Sequence, residues 1–322
     1  MPPLTALPAL SGFPALSALS PVDAASLVLL VGAVLGLAGA SIYALARRGR
    51  TAGLTPRMAL QRAGSYAGLA VVLLVAAQMG VPGIALLFGA LATLGLIEWA
   101  QMFDLPAHHR IAMVIANGVI FWAIAVGGVG AADWLVGGVV LVGAVWPVIR
   151  ADTGRAIRDM GMAAVGMVLI SVLLVHAVAL SVDDGEAGIA LVLALAVACA
   201  FSDVGAFVVG RTFGRTPLAP RLSPNKTREG VVGNVLGAAV GLVLFVPALV
   251  PTFGLPFVIA LVPLVAGGAL WGDLLESAAK REAGVKDAGH WLPGFGGILD
   301  RIDSMLVTVA LGYWIARLWG AG

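Results

Sequence analysis

Charged residues are scarce in this chain: only 11% of its 322 residues are Asp, Glu, Lys or Arg. Soluble domains carry about 25% charged residues, so the composition excludes an ordinary soluble domain. Hydrophobic residues make up 60% of the chain, and many apolar runs are long enough to cross a bilayer. The composition therefore predicts an all-α, polytopic membrane bundle.

Cysteine is almost absent as well. The single cysteine, Cys199, lies inside an apolar run, which excludes a disulfide framework and a cysteine-based metal site.

The first twenty residues contain no basic side chain, although a secretory signal begins with a basic segment. We interpret residues 1–20 as a flexible tail, residues 21–185 as N-terminal transmembrane helices and residues 186–322 as a C-terminal catalytic region.

Short polar breaks divide the apolar sequence into about ten predicted transmembrane helices. Two of the spans are short, so nine or eleven crossings stay open. The predicted spans are 24–46, 64–80, 84–100, 111–130, 134–149, 160–182, 187–209, 231–250, 257–275 and 302–319.

The basic residues lie almost entirely on one side of this layout. If the N-terminus is outside, every Lys and Arg except Arg317 falls in an inner loop, and the outer loops carry only acidic charges. Cytoplasmic loops carry the excess of Lys and Arg in membrane proteins. We therefore expect a bacterial-type inner membrane protein with both termini outside. The inner loops are 47–63, 101–110, 150–159, 210–230 and 276–301.

One inner segment, residues 273–303, concentrates charges of both signs. Charge near a bilayer is costly, so such a cluster is by default a functional site. Carboxylates bind hard cations, whereas cations and glycine N–H groups bind phosphate oxygens, which predicts a site for a magnesium-bound polyphosphate. The segment contains Asp273, Glu276, Lys280, Arg281, Lys286, Asp287, Gly294, Gly296, Gly297, Asp300, Arg301 and Asp303.

Helical spacing groups these acids in pairs. Asp273 and Glu276 are three residues apart, so they share a helical face and can point into one cavity. Asp300 and Asp303 have the same spacing at the start of the last span, where stabilisation of the helix dipole is an alternative explanation. Glu98, at the inner end of the third span, is either a site-lining acid or an interfacial residue beside Trp99.

A second polar group occupies the inner loop 210–230. Ser223, Lys226 and Thr227 offer a cation and two hydroxyls just before the free N–H groups of the eighth span, which predicts an anion-binding site. The alternative is an ordinary basic loop with a Ser/Thr helix cap. Asp203 lies near the inner end of the seventh span.

Both groups resemble the motifs of the phosphatidate cytidylyltransferase family, also called CDP-diacylglycerol synthases. Asp203 precedes a Gly-Arg-x-Phe-Gly turn and a Ser-Pro-x-Lys-Thr-x-Glu-Gly loop, as in that family. One position departs from the family pattern, because Phe295 stands where His is usual. The resemblance in the C-terminal motif is carried by Ser277, Lys280, Arg281, Lys286, Asp287, Pro293, Gly294, Gly296, Gly297, Asp300, Arg301 and Asp303.

The resemblance implies a Mg²⁺-dependent reaction of CTP with phosphatidate that releases pyrophosphate, at a cytoplasmic site. A second cation and a homodimer stay open, and the implied partners are CTP, phosphatidate or a related lipid phosphate, and membrane lipids, with no nucleic acid. The implied metal ligands are Asp273, Asp300, Asp287 and Asp303. The implied catalytic residues are Asp273, Asp300, Lys280, Arg281, Asp287 and Arg301, and the implied substrate-binding residues are Ser223, Lys226, Thr227, Lys286, Gly294, Gly296, Gly297 and Asp203.

Three alternative functions fit the same sequence. The first is a cytidylyltransferase for another lipid phosphate, and the second, suggested by Phe295, is a catalytically weak lipid-binding relative. The third is an ion-coupled transporter, which binds ions near the midplane between inverted repeats. The charges of this chain lie on the inner side and no inverted repeat is evident, which disfavours the transporter.

Overall fold

The computed structural model describes residues 68, 70–128, 154–249, 254–286, 288–289 and 297–320. Within these residues the chain is helical except for one short hairpin and the connecting turns. The predicted tail 1–20 and the predicted spans 24–46 and 134–149 lie outside the described residues.

The first described helices agree with the predicted spans. Residues 70–78 are helical, and Gly80, with φ of 70°, separates them from helix α1 (Val81–Met102). A proline lies near the start of α1. It is tolerated there because the N–H groups of the first turn have no acceptor within the helix, so the N–H that proline lacks is not needed. Helix α2 (Ala107–Gly127) follows and begins four residues earlier than predicted.

The next helices form one long apolar stretch. Helix α3 (Ala156–Gly166) continues through a π-helical segment (Met167–Val172) towards helix α4 (His176–Phe213). Within α4, Gly185 has φ of 57° and ψ of −127°, which is not helical. Glycine adopts a positive φ without the steric cost of a Cβ, which allows the interruption at this residue. Gly185 lies in the predicted polar break between the spans 160–182 and 187–209.

The predicted inner loop after α4 contains a two-stranded hairpin. Strands β1 (Pro217–Ala219) and β2 (Ser223–Thr227) are antiparallel. Glu229 accepts hydrogen bonds from the N–H groups of Arg215 and Thr216 at 3.1 and 3.2 Å. These backbone hydrogen bonds lower the pKa of Glu229, which precedes the predicted span 231–250, to about 2. They tie the hairpin to the next helix.

Three helices complete the described chain: α5 (Arg228–Leu249), α6 (Leu255–Glu282) and α7 (Leu299–Gly320). Helix α6 extends seven residues beyond the predicted end at 275. Gly284 ends it with φ of 72°, and the Val285 N–H donates to the Lys280 carbonyl at 2.9 Å, a helix-ending arrangement that favours glycine. The extension places Ser277, Lys280 and Arg281 on the helix.

Small residues bring the helices that carry the charged groups close together. Gly205 of α4 lies against the backbone of Gly233 in α5, and Gly272 of α6 lies against the carbonyl of Asp303 in α7. Glycine at such positions lets membrane helices approach closely. The contact at Gly272 places Asp273 beside the first turn of α7.

Four helical stretches among the described residues are long and apolar enough to cross a membrane, namely Val81–Met102, Ala107–Gly127, Ala156–Phe213 and Leu255–Glu282. The structure is therefore that of an all-α membrane protein. The count of about ten spans stays a prediction.

Candidate metal and phosphate site

Three carboxylates from two helices meet at one end of the bundle. Oxygen atoms of Asp273, Glu276 and Asp303 all lie within 4.8 Å of one another. Asp273 and Glu276 come from one face of α6, as their spacing predicted, and Asp303 comes from α7. Like charges this close repel each other, so the arrangement favours a bound cation.

A lysine from the hairpin reaches the same group. Lys226 Nζ lies 2.5 Å from Asp273 Oδ2. The Arg281 Nε donates to the carbonyl of Leu222 at 3.3 Å, which is a second link between the hairpin and α6. The two polar groups of the sequence, one in the hairpin and one in residues 273–303, therefore meet in space.

Lys280 joins the three-carboxylate group to Asp300. Its Nζ lies 2.5 Å from Glu276 Oε2 and 2.7 Å from Asp300 Oδ1. Asp300 Oδ2 also accepts the Gly297 N–H at 2.7 Å. Burial opposes ionisation of Asp300, which precedes the predicted span 302–319, but hydrogen bonds from Lys280 and from the Gly297 N–H help to outweigh it and lower the pKa.

These contacts bear on the predicted metal ligands. Asp273 and Asp303 lie together, whereas Asp300 faces Lys280 and a backbone N–H. Glu276 completes the cluster of three carboxylates. The spacing of three residues predicted that Glu276 and Asp273 share a cavity, but Glu276 is not among the ligands that the family resemblance implies. A cation shared by Asp273 and Asp300 stays a prediction.

Asp203 of α4 also reaches α7. The Ser304 hydroxyl donates to its two carboxylate oxygens at 3.3 and 3.2 Å. Because Ser304 follows Asp303 directly, this contact fixes the turn of α7 that carries the third carboxylate. The predicted substrate-binding residue Asp203 therefore borders the carboxylate group.

The remaining predicted residues have varied surroundings. Thr227 Oγ1 accepts the Gly230 N–H at 3.1 Å, which is the geometry of a helix cap for α5. Lys286 is exposed and Arg301 is half-buried. Ser223 begins strand β2. Asp287, Gly294 and Gly296, together with Phe295, lie outside the described residues.

The donor set suits a hard divalent cation. All three groups are carboxylates, and Mg²⁺ and Ca²⁺ prefer oxygen ligands. One oxygen of the cluster, Glu276 Oε1, is buried and has no hydrogen-bond partner. Buried polar atoms are normally satisfied, so this oxygen is a candidate ligand atom.

Comparison with known proteins agrees with this chemistry. Residues 60–319 match the model of the Cytidylyltransferase family. A phosphatidate cytidylyltransferase of Pseudomonas aeruginosa is 34% identical over 247 residues, which are 74% of this chain and 88% of that protein.

Other relatives match over a shorter stretch. Phosphatidate cytidylyltransferase 5, chloroplastic, of Arabidopsis thaliana is 46% identical over 119 residues, covering 37% of this chain and 30% of that protein. The phosphatidate cytidylyltransferase of Helicobacter pylori is 46% identical over 129 residues, covering 38% of this chain and 45% of the relative. The chain thus spans less than half the length of these two relatives, but the Pseudomonas match and the family match extend over most of it. The resemblance found in the sequence is confirmed, and the chain belongs to the cytidylyltransferase family.

Proposed function

We propose that this protein is a membrane-embedded phosphatidate cytidylyltransferase that converts CTP and phosphatidate into CDP-diacylglycerol and pyrophosphate. The observation that carries the proposal is the meeting of Asp273, Glu276 and Asp303 within 4.8 Å, beside Lys226 and Lys280. Family membership and the names of the relatives support the same reaction.

The reaction requires two anions to meet. A phosphate oxygen of the lipid forms a bond to the α-phosphorus of CTP, and the bond from that phosphorus to the bridging oxygen of the leaving pyrophosphate breaks. The lipid phosphate is already ionised at neutral pH, so no strong base is needed. Positioning and charge neutralisation provide most of the catalysis in phosphoryl-group chemistry.

We assign separate roles in metal binding, phosphate binding and orientation to the residues of the site. Asp273, Glu276 and Asp303 would hold Mg²⁺, which supplies positive charge that neutralises the polyphosphate when it is bound. Lys226 and Arg301 would bind phosphate oxygens. Lys280 orients Glu276 and Asp300 through its two short contacts.

The predicted contributions of the other motif residues are part of the same proposal. Arg281, Lys286 and Ser223 would add polar contacts to the substrates. Asp287 and the glycines at 294 and 296 would border the phosphate-binding region. A second cation, bound by Asp300 or Asp287, is compatible with this arrangement.

We also propose that the site faces the cytoplasm. Asp203, Lys226, Asp273 and Asp300 all belong to predicted inner ends or inner loops. Arg317 forms an ion pair with Asp183, so the one basic residue predicted outside lies against an acid that is also predicted outside. The lipid tails would stay in the inner leaflet while the headgroup enters the site.

A single assay tests the proposal. The purified protein in detergent receives CTP labelled at the α-phosphate, Mg²⁺, and either phosphatidate, an ether-linked lipid phosphate, a polyprenyl phosphate or no lipid. With phosphatidate, we expect the label to appear in CDP-diacylglycerol and unlabelled pyrophosphate to be released. If product forms only with another lipid phosphate, that lipid and not phosphatidate is the substrate. If no lipid stimulates pyrophosphate release, the proposal is overturned.

A further inference from the structure

Glu98 lies at the end of α1, far in sequence from the segment 273–303, yet it contacts the start of α7. One of its carboxylate oxygens, Oε1, accepts the Ile298 N–H at 2.9 Å, and Oε2 accepts the Leu299 N–H at 2.8 Å. The side chain is fully buried. The first N–H groups of a helix have no partner inside the helix, and here a distant carboxylate provides one.

The segment that enters α7 is shaped around this carboxylate. A Cβ atom at Gly289 or at Gly297 would overlap the Glu98 carboxylate. Two glycines of the connection between α6 and α7 therefore pass against the same side chain. A larger residue at either position would push the carboxylate away from the N–H groups that it binds.

The neighbouring residue fixes Glu98 in place. Trp99 Nε1 donates to the Met162 carbonyl at 2.9 Å, and the Trp99 ring lies against Gly166 of α3. The end of α1 is thereby attached to α3 on one side and to α7 on the other. This attachment links the N-terminal helices to the segment that carries Asp300, Arg301 and Asp303.

We propose that Glu98 is a positioning residue that sets the entry angle of α7 and so places Asp303 beside Asp273. Both of its oxygens accept backbone N–H groups of the α7 entry, and Glu98 does not belong to the group formed by Asp273, Glu276 and Asp303. The positive end of the α7 dipole favours the buried negative charge at this position. The proposed effect on catalysis rests on the proposed function, but the effect on the structure of α7 does not.

The test compares Glu98→Gln with the wild-type full-length protein in detergent, measured by hydrogen exchange. The amide retains one acceptor oxygen and presents an NH₂ group to the second N–H, so one hydrogen bond is lost and the other is no longer charge-assisted. We expect exchange at Ile298 and Leu299 to accelerate about tenfold or more, as for loss of a hydrogen bond to a charged group. Exchange in α4 and α5 should stay unchanged.

Activity provides the second measurement. With CTP, phosphatidate and Mg²⁺, we expect Glu98→Gln to lower kcat about tenfold, with a smaller change in KM for CTP, as for an interaction that matters mainly in the transition state. Glu282→Gln is the matched control, because Glu282 is exposed at the end of α6, and it should change neither measurement. If the wild-type protein does not turn over these substrates, the proposed function fails, and hydrogen exchange still decides the role of Glu98.

A second variant keeps the proposal open to refutation if Glu98→Gln does not fold. Gly289→Ala adds a methyl group against the same carboxylate and should accelerate exchange at Ile298 and Leu299 in the same way. Unchanged protection of these two amides in a folded variant would overturn the proposal. Equal acceleration across all helices would also overturn it, because it would show general destabilisation in place of local positioning.

Discussion

Lys226 Nζ lies 2.5 Å from Asp273 Oδ2, so a strand of the hairpin and a long apolar helix share one ion pair at the mouth of the bundle. The pair is part-exposed, with 21% and 34% of the two side chains accessible, which leaves it open to the proposed substrate. A cation held by the carboxylates would compete with this ammonium for Asp273. Lys226 would then be available for the phosphates of the nucleotide.

Replacement of Lys226 should weaken nucleotide binding. For Lys226→Met we expect KM for CTP to rise about tenfold or more, since a hydrogen bond between charged groups contributes about 1.5–3 kcal/mol. Steady-state kinetics with varied CTP measure this. Arg158→Gln, which removes an exposed basic residue of α3, is the control, and an unchanged KM in Lys226→Met would contradict the assigned role.

The carboxylate cluster should be required for turnover. Asp273→Asn and Asp303→Asn remove one negative charge each with little change in shape, and we expect each to lower turnover at least about 100-fold, because metal charge stabilisation contributes several kcal/mol. The measurement is pyrophosphate release across a range of Mg²⁺ concentrations. Near-normal activity of either variant at low Mg²⁺ would exclude its carboxylate as a ligand.

Lys280 should stabilise the fold as well as the site. Lys280→Met leaves Glu276 and Asp300 without the ammonium between them, and breaking a buried ion pair costs about 3–5 kcal/mol. We expect a lower unfolding temperature in detergent. The double variant Lys280→Met with Glu276→Gln should recover part of the lost stability, because one of the two uncompensated charges is gone. A double variant no more stable than Lys280→Met alone would show that Glu276 and Lys280 are not coupled.

The hairpin should depend on the ionised form of Glu229. Its pKa falls from 4.5 in the unfolded chain to about 2 in the fold, so its contribution is present in full above about pH 4.5 and is lost as the pH falls through 2. Hydrogen exchange of residues 215–227 at pH 7 should be faster in Glu229→Gln than in the wild-type protein. The wild-type hairpin, after correction for intrinsic rates, should keep its protection down to about pH 4.5 and lose it near pH 2. Equal protection of the two proteins at pH 7 would contradict the anchoring role.

Local spacing predicted part of the site. Asp273 and Glu276 share a face because a helix brings residues three apart together, and that rule needs only the sequence. The position of Asp300 could not be obtained in this way. Its spacing from Asp303 suggested one shared direction, but Asp300 lies at the helix start, where a backbone N–H and Lys280 bind it.

Long-range contacts explain the rest of the difference. A hydrogen bond joins Glu98 to Leu299, which lies 201 residues further along the chain. The sequence showed Glu98 only as an acid near the end of an apolar helix, and no local pattern indicated this distant partner. The hairpin was predicted as a loop because the segment is polar and basic and lies between two apolar spans. It also contains Pro217, Pro220 and Pro224, and proline is unfavourable in central strands. A two-stranded hairpin has only edge strands, which tolerate proline.

The position of a bound metal tests the proposed site most directly. Mn²⁺ substitutes for Mg²⁺ at oxygen ligands, and anomalous scattering locates it in crystals of the protein soaked with Mn²⁺ and a non-hydrolysable CTP analogue. We predict a peak among the carboxylates of Asp273, Glu276 and Asp303 that is absent in Asp303→Asn. A peak elsewhere, or none at this cluster in the wild-type protein, would contradict it.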